Sequence, residues 1–183
     1  VSTDNKDVIA LLEEQHQEIR RLFGVVEVAK GDERRDAFRE LVRLLSVHET
    51  AEEELVHPEV RRHEGGEPIV EARVGEEHRA KELLSTLDDM GPEAEGFDTL
   101  LIQLRDDVLA HATHEEREEF PVLRRACDPE RLEAMADTVR AAEAVAPTRP
   151  HPGTESAAKN LLLGPPAALM DRARDAIRSV LKR

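Results

Sequence analysis

His111-Ala112-Thr113-His114-Glu115-Glu116-Arg117-Glu118-Glu119-Phe120-Pro121 has a partner earlier in the chain, His48-Glu49-Thr50-Ala51-Glu52-Glu53-Glu54-Leu55-Val56-His57-Pro58. Each reads His, three residues, Glu-Glu, four residues, Pro, so Glu falls at +4 and Pro at +10 from the first histidine. On an α-helix, positions i and i+4 lie one turn apart on the same face, which aims an imidazole and a carboxylate at a common point. Two such pairs facing each other would form the walls of a metal-binding basin.

The residues around these stretches keep one register. Phe38, Leu41, Leu45, His48, Glu52 and Leu55 follow steps of 3, 4, 3, 4 and 3. Phe97, Leu101, Leu104, Val108, His111, Glu115 and Glu118 follow steps of 4, 3, 4, 3, 4 and 3. The spacing predicts helices over about 33–62 and 95–127 with these His and Glu residues facing the core, where a surface ion pair would not sit. Pro58 is expected to bend or end the first of them near its last turns.

Two more helices complete the pattern. One, over about 4–28 with Asp4 as N-cap, carries Ile9, Leu12, Ile19, Phe23 and Val26 on a stripe that includes His16. The other, over about 69–90, offers two candidates: His78 by residue type and Glu77 by register. Apolar residues stand at −7, +3, +6, +7 and +10 from His16, and the same offsets from Glu77 give Val70, Ala80, Leu83, Leu84 and Leu87. The chain thus reads as a duplicated helical hairpin, with His16 preceding His48 by 32 residues and Glu77 preceding His111 by 34. Breaks at Gly31-Asp32, Gly65-Gly66-Glu67-Pro68 and Gly91-Pro92 leave short turns, which predicts an all-α, up-down-up-down four-helix bundle over residues 1–127.

Residues 128–183 form a C-terminal extension. It consists of a helix to about Val145 after Asp128-Pro129-Glu130, a Pro/Gly-rich stretch over 146–167, and an amphipathic helix over about 168–181. Leu169, Ala173, Ile177 and Val180 line one side of that last helix, which predicts packing on the bundle or on a second copy in a homo-oligomer.

Composition narrows the classes of function. The 183 residues include no Trp and no Tyr, as expected of a helical fold without aromatic-rich strands. A formal net charge of −14 and a pI near 5.0 argue against nucleic acid, whose phosphates require clustered Lys and Arg. Cys127 is the single cysteine, so neither a disulfide framework nor a thiolate zinc cluster is expected, and a reducing compartment is. No apolar run approaches the roughly 20 residues that span a bilayer, and Val1-Ser2-Thr3-Asp4 does not open an apolar signal core. The expectation is a cytoplasmic protein with no membrane partner.

Two His-x-x-x-Glu pairs plus a donor from each remaining helix supply enough ligands for two ions with a position left for a small molecule. Imidazole nitrogen and carboxylate oxygen suit iron, with zinc or manganese able to take the same donors, and a carboxylate can bridge two ions. Structural zinc prefers a closed set of four. Burying unpaired carboxylates and imidazoles among four helices is costly, and coordination removes that cost. The other histidines, His57, His63 and His151, read as surface or capping residues, and His114 as a local hydrogen-bonding residue. Glu53 and Glu116 fall off the stripe, while Glu118 falls on it.

These residues carry a resemblance. The chain resembles the hemerythrin-like, or HHE cation-binding, domains, whose pattern is a His on the first helix, His-x-x-x-Glu on the second, a His on the third and His-x-x-x-Glu on the fourth. The resemblance covers about residues 4–127. It implies a metal set of His16, His48, Glu52, His111 and Glu115, with Glu77 or His78 from the third helix. It also implies two iron ions, oxo- or hydroxo-bridged, with the two glutamates bridging. Oxygen-carrying members show a further His one turn on along the third helix; here Lys81 and Glu82 stand in that region. A more anionic site argues for reaction with, or sensing of, oxygen, peroxide or nitric oxide rather than plain oxygen storage. Catalase- or peroxidase-like consumption of peroxide is the corresponding enzyme activity. An iron- or oxygen-responsive adaptor signalling through the extension is the alternative. Ferritin-like chemistry, suggested by Glu13-x-x-His16 and Glu54-x-x-His57, ranks below both because His57 falls off the stripe.

Overall fold

The computed structural model describes residues 7–145 and 166–182. Helix α1 (Val8–Val28) is capped by Asp7, whose side chain accepts from the Ala10 amide at 2.9 Å. The cap therefore falls three residues after the expected Asp4, which lies outside the described residues. Helix α2 runs as Gly31–Ala51, passes through a π-helical turn at Glu52–Val56 and continues as His57–Arg61. Helix α3 is Gly66–Met90. Helix α4 runs as Phe97–His114, a second π-helical turn at Glu115–Glu119, and Phe120–Ala126. Short connections make successive helices antiparallel, and α1 to α4 form the up-down-up-down bundle that the spacing predicts. Helices α5 (Pro129–Val145) and α6 (Pro166–Leu181) complete the chain, and no strand occurs among the described residues.

The apolar stripes pack as two layers with a polar belt between them. One cluster gathers Ile19, Phe23, Leu41, Leu45, Leu84, Leu87, Phe97 and Leu104. The other gathers Val8, Leu12, Leu55, Val60, Val70, Phe120 and Leu123. Between them lie the buried polar residues His16, His48, Glu52, Glu77, His111, Glu115 and Glu119.

The extension shares this core. Met135, Ala136, Val139 and Ala142 of α5 and Ile177 of α6 belong to the same apolar cluster as Val8 and Leu12 of α1. Leu169 and Ala173 of α6 are also buried. On α6, Arg174 reaches Glu53 at 3.1 Å and Glu54 at 3.2 Å, and Arg178 reaches Glu54 at 2.8 Å. The expected boundary at Cys127 thus ends the metal-donor helices but does not separate two cores. His151 and most of the Pro/Gly-rich stretch lie outside the described residues.

Both helices change just before their proline and end a few residues after it, at Arg61 and Ala126, in line with the expectation that Pro58 bends or ends its helix near its last turns. A proline inside a helix lacks an N–H, and its ring crowds the carbonyl four residues back. Here the backbone widens just before each one. The His57 amide bonds to the Glu52 carbonyl and the Phe120 amide to the Glu115 carbonyl, each a five-residue span. The extra residue in each turn rotates the remainder of the helix. His57 and Glu119 become buried, at 3% and 0% exposure, while Glu118, which falls on the regular stripe, is 52% exposed.

Where α3 enters the bundle, a Cβ on Gly66 would stand 1.8 Å from the Val60 carbonyl oxygen, whereas one on Gly75 meets nothing within 4 Å. Gly66→Ala should lower stability by about 1–3 kcal/mol through overpacking. Gly75→Ala, in a helix interior, should raise it by about 0.5–1 kcal/mol. Thermal melts of the two variants should shift in opposite directions.

Candidate metal centre

The polar belt brings donor atoms together in two sets, His16 with His48, Glu52 and Glu115, and Glu52 with Glu77 and His111. Within each set the donors lie within 4.8 Å of one another, all are buried, and Glu52 belongs to both. Glu115 spans the sets in a second way: its Oε2 lies 3.1 Å from His16 Nε2 and its Oε1 lies 3.1 Å from His111 Nε2. His48 Nε2 stands 3.3 Å from Glu52 Oε1. None of these approaches has hydrogen-bond geometry for the carboxylates. Both oxygens of Glu52, both of Glu115 and His111 Nε2 are buried without a hydrogen-bond partner. Buried polar atoms are normally paired, and this concentration of orphans at one point is what a bound cation would satisfy.

The imidazoles are turned for the same task. Each of the three sends Nδ1 outward to an acceptor: His16 to Glu116 at 2.9 Å, His48 to the Gln15 amide oxygen at 2.7 Å, and His111 to Glu76 at 2.9 Å. A metal-binding histidine commonly donates its other ring N–H in this way, which fixes the tautomer and leaves a lone pair for the ion. His16 Nε2 and His48 Nε2 face each other at 3.2 Å. With both Nδ1 atoms bonded outward, these two nitrogens converge on one point inside the belt. A stack of Phe120 on His16, with centroids 5.8 Å apart and planes 7° apart, holds the first ring in place.

Charge is distributed unevenly through the belt. Burial, followed by the charge of His16, brings His48 down to about 3, so it resists taking a proton in place of a metal. Burial raises His48's neighbour Glu49 to about 8, with Lys81 opposing. Burial and then the charge of Glu115 push Glu52 well above the usual carboxylate range. Burial would raise Glu115 too, but the charge of His111 holds it well below that range. Against its own burial, His111 is pushed up to about 10 by the Glu115 carboxylate and the bond to Glu76.

Of the two candidates on α3, Glu77 is buried at 1% exposure and joins the second donor set. His78 does not: its side chain is 74% exposed and lies 3.5 Å from Glu82, because one residue is about 100° of helix rotation. His57 departs from the surface role expected for it. It is wedged in the belt, with Nε2 donating to Glu77 at 2.7 Å and Nδ1 to Glu119 at 2.8 Å. Although burial lowers its affinity for a proton, those two carboxylates raise His57 to about 9. With a carboxylate bonded to each ring nitrogen, it has no atom turned to the donor sets and braces Glu77 instead. Lys81 adds a second brace 3.3 Å from Glu77 and also pairs with Glu53.

Reading by the 3.6-residue period misses His57 and Glu119 because the π turns break that period, although Pro at +10 in both stretches is a signal for such a turn. Glu76 and Gln15, which support ligand histidines, carry no motif signal. His114 bonds across to Glu76 at 3.0 Å instead of within its own helix. His63 sits in the turn after α2, its amide bonded to the Val60 carbonyl. The two Glu-x-x-His pairs supply no joint site, since Glu13 is exposed and Glu54 is engaged by Arg174 and Arg178.

Fold and site together define a helical-bundle protein whose core is built to hold metal cations. The hemerythrin HHE cation binding domain matches residues 7–123, and the chain belongs to that family. A crystal structure of a hemerythrin HHE cation binding domain-containing protein from Mycobacterium kansasii is similar in fold, with a TM-score of 0.71 at 22% identity. The match covers 91% of this chain and 99% of that one. Such coverage runs past Cys127, so the shared fold takes in helical structure of the extension. A Nostoc sp. protein named DNA nickase is 28% identical over 139 residues, which is 75% of this chain and 38% of that protein. The chain thus spans little more than a third of that relative's length.

In the metal-free protein His111, pushed up to about 10, must release a proton to coordinate an ion, and the upward shift of Glu52 acts in the same direction. Metal uptake at pH 7 should therefore release protons, with affinity rising from pH 6 toward 9. Calorimetric titration in buffers of different ionisation enthalpy counts them directly.

Proposed function

We propose that the chain is a non-heme di-iron protein that reacts with oxygen, peroxide or nitric oxide in the core of its bundle. The observation that carries this reading is the pair of buried donor sets joined through Glu52, with three imidazoles and three carboxylates among them. Six N/O donors fit two borderline ions; zinc and manganese accept the same set. His16 and His48 would hold one ion and His111 with Glu77 the other, with Glu52 and Glu115 between them. A bound iron pair supplies redox and Lewis-acid chemistry to a small oxygen-containing ligand.

The cavity beside the donors supports a small ligand. It is lined by His16, His48, Glu49 and His111 together with Ile19, Leu45 and Val108, and has a volume of about 10 Å³, room for roughly one water. Glu49, raised to about 8 by burial, lines the cavity and keeps a proton on its carboxyl at neutral pH, with Lys81 Nζ 3.6 Å from its Oε2. A carboxylic acid poised near the working pH suits proton transfer to peroxide oxygen.

Metal analysis and an optical spectrum of the purified protein, before and after peroxide, test this reading. Two irons per chain and disappearance of peroxide are expected; one zinc or no metal would sink it. Glu49→Gln should retain both irons yet consume peroxide about 10²-fold more slowly. In the unsubstituted protein the rate should fall as pH rises through about 8, where Glu49 gives up its proton.

A second reading, an adaptor that signals its metal state through the extension, is favoured by one contact. Arg174 of α6 grips Glu53 and Glu54, the two residues after the shared Glu52 on the same π turn. Hydrogen exchange of α6 should then speed up on chelation. Equal protection with and without metal would count against this reading.

A further inference from the structure

We infer that Glu143, on α5 of the extension, acts through Gln15 to position His48 as a metal donor, so that the extension supplies part of the centre. This inference rests on the metal-binding reading of the donor sets.

Gln15 is 4% exposed and lies between two groups far apart in the chain. Its Nε2 donates to Glu143 Oε1 at 2.6 Å, and its Oε1 accepts from His48 Nδ1 at 2.7 Å. A carboxylate can only accept, so the amide nitrogen must face Glu143. The amide oxygen then faces His48 and can itself only accept, which places the imidazole proton on Nδ1. The lone pair is left on Nε2, the atom 3.2 Å from His16 Nε2 and 3.3 Å from Glu52 Oε1. With Gln15 turned over, its N–H groups would face Nδ1. The proton would then move to Nε2 and close that atom to a metal.

His16 and His111 do not depend on such an arrangement, because each bonds directly to a carboxylate of the bundle, Glu116 or Glu76. An amide offers both a donor and an acceptor, so Gln15 alone leaves the tautomer of His48 undecided. The deciding charge comes from Glu143, 128 residues away in sequence. Its helix is seated by Met135, Val139 and Ala142 in the apolar cluster that also contains Leu12. Burial of α5 thus fixes where the carboxylate stands. Glu143 and Gln15 are positioning residues: their side chains act through the Nδ1 of His48.

The full metal-free chain, labelled with ¹⁵N, tests this by long-range ¹H–¹⁵N correlation of the His48 ring, with a Co²⁺ titration for affinity. The unsubstituted protein should show the proton on Nδ1. Glu143→Ala should give a mixture of tautomers and bind Co²⁺ about 10–100-fold more weakly, the range for loss of an outer partner of a ligand histidine. Asp137→Ala removes a carboxylate from an exposed position of the same helix, where it pairs with Arg140 one turn on at 3.0 Å. That variant should change neither readout, and circular dichroism should report the same helicity for both. The pair Gln15→Glu/Glu143→Gln reverses the order of amide and carboxylate while still presenting an acceptor to His48, and should restore the Nδ1 proton and the affinity. An unchanged tautomer and Co²⁺ affinity within about twofold in folded Glu143→Ala would overturn the inference. Failure of the unsubstituted protein to take up Co²⁺ would instead strike the metal-binding reading, and the tautomer comparison would still decide the role of Glu143.

Discussion

Two carboxylates, Glu52 and Glu115, sit fully buried in the middle of a four-helix bundle with no hydrogen-bond donor for any of their four oxygens. Around them stand His16, His48 and His111, each with Nδ1 engaged outward and Nε2 turned toward the carboxylates. Such a belt is unfavourable by itself, because it collects acceptors where neither water nor a protein donor can reach them. A cation at each donor set reverses that balance. The two apolar clusters on either side provide the burial that holds the belt in register, and the belt marks where the bundle core changes from packing to chemistry.

The π turns adapt a regular bundle to this task. Each begins at a carboxylate of the donor sets, Glu52 or Glu115, and each precedes a proline. The widened turn relieves the crowding that proline imposes and rotates the next residues by about one position. One consequence is that His57 and Glu119 enter the belt, where His57 donates to Glu77 from one nitrogen and to Glu119 from the other. His57 is bonded to a carboxylate from each ring nitrogen and braces a donor, while His16, His48 and His111 each keep Nε2 toward the donor sets. The neighbours of each ring separate these roles on one residue type.

The extension belongs to this arrangement in a physical sense. Helix α5 completes the apolar cluster on one side of the belt, and α6 lies against α2 with its arginines on Glu53 and Glu54. The apolar face of α6 is largely consumed within its own chain, with Leu169, Ala173 and Ile177 buried. Packing of the core and the hydrogen-bonded chain from Glu143 through Gln15 to His48 thus involve contacts that the four-helix core alone does not contain.

The sequence by itself determined the bundle and most of the donor set, because both rest on helical periodicity. His48, Glu52, His111 and Glu115 fall on apolar stripes, and a helix that buries its stripe must bury them as well. The same register separated Glu77 from His78, since adjacent residues point about 100° apart. Where the period itself changes, the residues escape a reading by register: His57 is expected at the surface, and Glu118 falls on the stripe in place of Glu119. Only the tertiary structure decided which acceptors serve the ring nitrogens. Glu76, Glu116 and the Gln15–Glu143 relay reach their histidines across helix interfaces. Periodicity places a residue on a face of its own helix; the partner it meets there is set by how separate helices dock.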